Sequence, residues 1–216
     1  MKSKYEIYIF DLDGTLLDTL TDLCNACNHA LRMCGMKERT KEEVRRFVGN
    51  GVRKLMERAV PEGTRPEQTE KALACFREYY MDHSLDNTAP YPGIMEMLEV
   101  LHSQGARIAV VSNKLHAATQ QLCNQFFRGL VDVAVGEQED KGIRKKPAPD
   151  MVNEAMKLLH YNGEQAVYVG DSDVDLQTAR NAQLPCISVL WGFRDRDFLL
   201  ANGATTFVKI PEEIYS

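Results

Sequence analysis

Tyr8-Ile9-Phe10-Asp11-Leu12-Asp13-Gly14-Thr15-Leu16-Leu17-Asp18 is the stretch from which the rest of this sequence is read. The apolar run Ile7 to Phe10 stops abruptly at two acids, Asp11 and Asp13, with Gly14 and Thr15 behind them. A short apolar run closed by a turn signal predicts a buried parallel strand rather than a helix. Asp11 then stands at the strand's carboxyl end, the edge at which open α/β sheets bind ligands. Two carboxylates one residue apart repel each other unless a cation lies between them or their roles differ. Mg²⁺ prefers hard oxygen ligands and takes one or two carboxylates at a time. Asp11 can ligate through its side chain, and the backbone near Asp13 through a carbonyl. Gly14 lets the chain leave the strand without a Cβ clash. In isolation, the two acids would read as loop residues with Asp13 capping a helix. The strand ahead and matching partners downstream favour a site.

Outward from that strand, residues 19–85 carry helical patterns only. Thr19 to Met33 bears an apolar stripe (Leu20, Leu23, Cys27, Ala30, Leu31) and stops at Gly35. Thr40-Lys41-Glu42-Glu43 is a capping box that opens a second helix, interrupted by Gly49-Asn50-Gly51 and resumed at Val52. Thr64-Arg65-Pro66-Glu67 reads as another capping box, opening a helix to about His83. Asp86 to Gly93 is a linker by composition. Strands and helices then alternate: strands at 107–111, 131–135, 166–169, 186–190 and 206–208, helices at 94–103, 115–127, 148–159 and 174–182. That alternation predicts a doubly wound, Rossmann-like parallel sheet. The expected organisation is an α/β core of residues 1–16 plus 88–216, with residues 17–87 inserted as a small all-helical cap domain.

At 216 residues the chain is long enough for such a core and a modest insert. Hydrophobic content of 44% and charged content of 26% are those of a soluble globular protein. A net charge of −5 argues against a nucleic-acid surface, and the only basic block is Arg144-Lys145-Lys146. No run approaches the ~20 apolar residues of a membrane span, and the first strand follows Met1 too closely for a signal peptide. Six cysteines without a leader then read as reduced thiols in the cytoplasm. Cys24, Cys27 and Cys34 share one helical face beside leucines. A structural zinc needs about four ligands and no fourth is evident, so core packing is their expected role. The expected assembly is a monomer or weak homodimer, with no membrane or nucleic-acid partner.

Three further strand ends carry polar residues. Ser112-Asn113 follows Val110-Val111 with a hydroxyl and open amides at an expected helix entrance, an anion site in this context and a plain helix cap outside it. Lys146 precedes Pro147 just ahead of a helix, and alone would be solvated surface charge. Gly170-Asp171-Ser172-Asp173-Val174-Asp175 ends another strand in an acidic loop, which could be a helix start favouring negative charge. Together these give a nucleophile, a divalent cation and donors for an anion. A phosphoryl group fits best, since its transfer depends on in-line positioning and charge neutralisation. Asp11 would attack phosphorus, and Asp13 would act as general acid and base. Ser112, Asn113 and Lys146 would bind the phosphoryl oxygens. Asp11, Asp13 and Asp171 would form the metal site, with Asp175 orienting the metal's waters or Lys146.

This set resembles the haloacid dehalogenase superfamily of phosphohydrolases. Asp-Leu-Asp-Gly-Thr at 11–15, Ser112, Lys146 before Pro147 and Gly-Asp-Ser-Asp-Val-Asp at 170–175 span the core in the family's order. The resemblance implies Mg²⁺ dependence, an Asp11 nucleophile, and a helical cap at residues 19–85. An aspartate at position 13 points to phosphate-ester chemistry over dehalogenation. Val48 to Ala59 is similar to the cap segment of bacterial phosphoglycolate phosphatases, which implies a small phosphorylated metabolite as substrate. Gly49, Asn50 and Gly51 would offer open amides there, beside Arg53, to a small carboxylate. A plain turn between helices would need the same glycines. Trp191-Gly192-Phe193-Arg194 is a further family-like loop of no evident role. Two alternatives stand beside this reading: a phosphosugar mutase of the same superfamily, resembling β-phosphoglucomutase, and a non-enzymatic phosphoaspartate receiver module. The receiver needs neither an Asp13 partner nor a cap.

Overall fold

A four-residue run with no polar position can only be stable with both faces covered, and β1 (Ile7–Phe10) is buried along its whole length. Its alternation divides the core: Tyr8 and Phe10 join one apolar cluster, Ile7 and Ile9 another, on the two faces of the sheet. The structure, a computed structural model, describes residues 4–216. It divides into two compact units, residues 4–17 with Pro90–Ser216, and Asp18–Ala89.

In the first unit β1 lies centrally in a six-stranded sheet. The other strands are β4 (Arg107–Leu115), β5 (Val133–Glu137), β6 (Ala166–Gly170), β7 (Cys186–Val189) and β8 (Phe207–Val208). Their order is β5-β4-β1-β6-β7-β8, and every pairing is parallel. The chain fills one side of β1 with β4 and β5, then crosses to the other with β6. β1 therefore stands where the winding reverses, the position at which such sheets bind ligands. Helices α5 (Ile94–Ser103) and α6 (His116–Phe126) supply residues to the cluster around Phe10. Helices α7 (Asp150–Leu158) and α8 (Asp173–Asn181) supply residues to the cluster around Ile9.

Two expectations need correction here. The strand expected to end at Val111 continues to Leu115, and α6 begins only at His116, so Ser112 is a strand residue and not a helix cap. Val111 pairs with Val135 and Leu115 with Glu137, so four steps along β4 are matched by two along β5. Ser112 to Lys114 bulge out of the ladder, as residues re-aimed at a site often do. Helix α9 (Arg196–Ala201) was also unforeseen: its N-cap Asp195, which accepts from Phe198 N–H, is a short and easily missed signal.

The second unit holds four helices, α1 (Leu20–Met33), α2 (Lys41–Phe47), α3 (Val52–Ala59) and α4 (Pro66–His83). The stripe Leu20, Leu23, Cys27, Ala30 and Leu31 is buried as its spacing requires, and α1 packs chiefly on α4. Thr40 and Glu43 form the expected reciprocal capping box. The second expected box does not form. Thr64 donates its hydroxyl to Pro61 O instead, and α4 starts at Pro66 with no side-chain cap. Proline at the first turn removes a donor that needs no acceptor, which makes the cap dispensable.

The chain passes between the units through two paired two-residue strands, β2 (Leu17–Asp18) and β3 (Ala89–Pro90). On the helical side one buried carboxylate ties both passages together. Asp22, in the first turn of α1, accepts from Asn87 N–H (2.9 Å), Asn87 Nδ2 (2.8 Å), Thr88 N–H (2.8 Å) and the Thr88 hydroxyl (2.9 Å). Asp22→Ala leaves these four donors without their acceptor. An orphaned buried donor costs ~1–3 kcal/mol, so the helical unit should lose roughly 3 kcal/mol. Hydrogen exchange at Asn87 and Thr88 reports the change, and wild-type protection there would show the clasp to be dispensable.

Candidate active site

Because β1 is flanked by β4 and β6, residues 11–13, 112–114 and 171 emerge side by side from three adjacent carboxyl ends. Asp11 extends the ladder by one rung, its N–H donating to Val169 O at 2.9 Å. The carboxylates of Asp11, Asp171 and Asp175 then converge, with one oxygen of each within 4.8 Å of the others, and all three residues are buried. Lys146 enters this cluster with its side chain only 2% exposed, its Nζ 2.7 Å from Asp11 Oδ1 and 2.8 Å from Asp175 Oδ1. A third partner, the hydroxyl of Tyr168, lies 3.2 Å from the same nitrogen and donates to Asp175 Oδ1 at 3.1 Å.

Three acids and one cation leave a deficit of positive charge. Burial, then the Asp175 charge, pushes Asp171 up to about 7. Burial likewise raises Asp11 well above the ordinary carboxylate range, with Asp175 adding to the rise and Lys146 opposing it. Burial disfavours the Lys146 ammonium, yet Asp11 and Asp175 outweigh it and hold the lysine above its usual value. Hard oxygen donors that would sooner take up protons than stay charged suit a small divalent cation.

Backbone shape sets each acid in place. Asp171 Oδ2 accepts from Phe193 N–H at 2.6 Å, and its Oδ1 lies 3.3 Å from the Thr15 hydroxyl. The loop that supplies Phe193 is tied back by Trp191, whose indole donates to Thr15 O at 2.9 Å. So close an approach needs glycine twice. A Cβ on Gly192 would stand 2.3 Å from Asp171 Cβ, and one on Gly14 would stand 2.5 Å from Asp171 Oδ2. Gly14 also has φ +89°, the left-handed region. Ser172 holds Asp175 through both its N–H (3.1 Å) and its hydroxyl (2.6 Å), while capping α8.

The residues singled out from the sequence fall into three groups. Asp11, Lys146, Asp171 and Asp175 meet directly. Ser112 is buried at the β4 bulge, where its hydroxyl accepts from Lys114 N–H at 3.2 Å. Asn113 uses its side chain to grip the backbone of Lys146, accepting from its N–H at 2.8 Å and donating to its carbonyl at 3.1 Å. Asp13 pairs with Lys114 at 3.1 Å. Within the helical unit, Gly49 and Gly51 have positive φ, and Asn50 accepts from Arg58 at 2.8 Å. Arg53 forms a two-pronged ion pair with Glu70. The sequence assigns no role to Lys114, Tyr168, Thr15 or the Phe193 amide, although Thr15 stands in the motif at 11–15 and Phe193 in the family-like loop at 191–194. Lys114 is a cation two residues beyond Ser112, and using it requires the strand to run that far.

The family model for haloacid dehalogenase-like hydrolases matches residues 8–189. A phosphoglycolate phosphatase of Aquifex aeolicus (strain VF5) is 35% identical over 87% of this chain and 85% of its own. One from Neisseria meningitidis serogroup A is 34% identical over 91% of this chain and 85% of its own. A crystal structure of a proposed phosphoglycolate phosphatase from Lactobacillus delbrueckii subsp. bulgaricus superposes with a TM-score of 0.92, at 38% identity and covering both chains fully.

The raised acids make a prediction about pH. An acid whose folded pKa lies above its unfolded value stabilises the fold at low pH and ceases to do so as pH rises through the folded pKa. In chelator, thermal stability should therefore fall as pH rises through about 7, where Asp171 ionises. Added divalent cation should reverse that fall. Its apparent affinity should drop by about tenfold per pH unit below that point, for one displaced proton. Calorimetric titration from pH 5.5 to 8.5 measures this, and a pH-independent affinity would mean Asp171 is not where the cation binds.

Proposed function

The chain belongs to the haloacid dehalogenase-like hydrolases, and on that premise we propose that it hydrolyses small phosphate monoesters, phosphoglycolate foremost, through a phosphorylated Asp11 and with Mg²⁺. The observation carrying this reading is the buried Asp11, set between Lys146 and the other acids at the edge where the sheet's winding reverses.

Leu12 N–H and Lys146 both donate to Asp11 Oδ1, which leaves Oδ2 as the oxygen offered to phosphorus. Its attack breaks the bond to the ester oxygen, and Asp13 gives that oxygen a proton. Asp13 then takes a proton from the water that attacks the aspartyl phosphate, so phosphate leaves and Asp11 is regenerated. Lys114 keeps the Asp13 carboxylate in place through both steps. Ser112 and the amides of the β4 bulge, with Lys146, receive the phosphoryl oxygens. Mg²⁺, held by Asp11, Asp171 and the Asp13 backbone oxygen, would offset the charge of the phosphoryl group. Asp175 stays outside that set because its four acceptor sites are taken by Lys146, Tyr168 and the two Ser172 donors.

The core residues recognise a phosphoryl group and nothing beyond it, so selection among esters falls to the helical unit acting as a cap. Gly49, Asn50, Gly51 and Arg53 are the residues proposed to meet the substrate's carboxylate. For Arg53 this exchanges one carboxylate for another, since it already grips Glu70. Relatives that carry the phosphoglycolate phosphatase name across both units support this choice of substrate.

Asp11→Asn keeps shape and removes the nucleophile, so steady-state phosphate release should vanish while the melting temperature stays near wild type. Asp13→Asn should lose ~10²–10⁴-fold in kcat. Turnover by the first, or a near-normal rate in the second, removes that residue from the mechanism. Phosphoglycolate should show a higher kcat/KM than glucose 6-phosphate or a nucleotide, with phosphate released in the absence of any sugar acceptor. Arg53→Ala should narrow that preference by roughly tenfold, the worth of about 1.4 kcal/mol of lost carboxylate binding, while sparing an aryl phosphate. A wild-type preference for hexose phosphates would overturn the substrate and leave the phosphatase intact.

A further inference from the structure

Tyr168 occupies the middle of β6 at 0% exposure, among apolar neighbours that a phenylalanine would satisfy equally well. A buried hydroxyl is costly unless hydrogen-bonded, and this one spends both its bonding directions on the candidate site. It accepts from Lys146 Nζ at 3.2 Å and donates to Asp175 Oδ1 at 3.1 Å. An ammonium has three donors, and Lys146 has three partners: Asp11, Asp175 and Tyr168. Its bonding capacity is therefore full before any substrate arrives.

We propose that Tyr168 is a positioning residue for phosphoryl transfer, one of two fixed legs of a tripod that aims the Lys146 ammonium. The inference rests on the role given to Lys146 above. Asn113 clamps the backbone of Lys146, and Tyr168 and Asp175 hold its tip. The third leg, to Asp11 Oδ1, is the exchangeable one. Once Asp11 carries the phosphoryl group, that oxygen becomes the weaker acceptor of a mixed anhydride, and the same N–H can turn to a phosphoryl oxygen. The other two bonds stay, so the charge moves little and its aim is retained. Asp175 alone would leave the ammonium a single fixed leg about which to swing.

Tyr168→Phe tests this, since it deletes one oxygen and fills the same space. The expected result is a folded protein whose melting temperature drops by a few degrees for one orphaned donor, kcat on an aryl phosphate lowered about tenfold, and binding of orthophosphate in calorimetry weakened by a similar factor. A role confined to packing would leave the melting temperature, kcat and orthophosphate affinity all unchanged. In a Lys146→Met background the Tyr168→Phe change should have no further effect, because it acts through the lysine. Lys146→Leu, which also lacks the ammonium, takes that place should the methionine variant not fold. Additive losses in the double variant, or wild-type kcat and orthophosphate binding in Tyr168→Phe, overturn the proposal. A wild-type protein that hydrolyses no monoester defeats the functional reading instead, and the orthophosphate comparison then still decides on Tyr168.

Discussion

Three buried carboxylates around a single buried ammonium set the terms for everything near them. Charge taken out of water without a partner costs several kcal/mol, so protons or a cation must make up the balance at Asp11, Asp171 and Asp175. Hydrogen bonds are distributed unevenly in response. Asp175 collects four, whereas Asp171 has the Phe193 amide and the Thr15 hydroxyl, and Asp11 has two donors on one oxygen. Burial, and then the Asp175 charge, push Asp11 and Asp171 toward protonation. A cation would therefore be drawn to the Asp11 and Asp171 side of the cluster, which is also where the first strand ends.

The close approach that makes the cluster possible is a property of backbone, which explains the Trp191 to Arg194 loop. Asp171 is held from outside the sheet by Phe193 N–H, and only glycine at 14 and 192 leaves room for it. From sequence, this loop was a family-like stretch without a role. Its part is to fix one carboxylate by a main-chain donor, and a main-chain donor has no residue-type signature.

Much of the sheet and the core of the site could be read from residue order alone. The central strands β1, β4 and β6 open as apolar runs that give way to polar or glycine residues, and parallel strands must place those residues along one edge. What could not be read depended on long-range geometry. Tyr168 looks like any core aromatic until the sheet brings Lys146 across from another loop. The run of β4 past Val111 could not be read because its bulge is set by pairing with β5, and local propensity carries no sign of that register. The grip of the Asn113 side chain on the Lys146 backbone likewise joins two segments far apart in the chain. Thr64 matched a capping pattern and lost to a proline two residues later.

The Asp22 clasp bears on how such a chain could have been assembled. It binds the outgoing and returning passages at one point, and β2 and β3 pair beside it. Paired strands lie about 5 Å apart, so from the sheet's side the helical block is a branch on a gap that a tight turn could bridge. Gain, loss or exchange of that branch would leave the register of β1 with β4 and β6 unaltered, because none of those pairings involves a residue from Asp18 to Ala89. A lineage could replace the whole block in one recombination event while the acids and lysine at the strand ends stay as they are. Sheet and helical block can thus diversify on separate schedules.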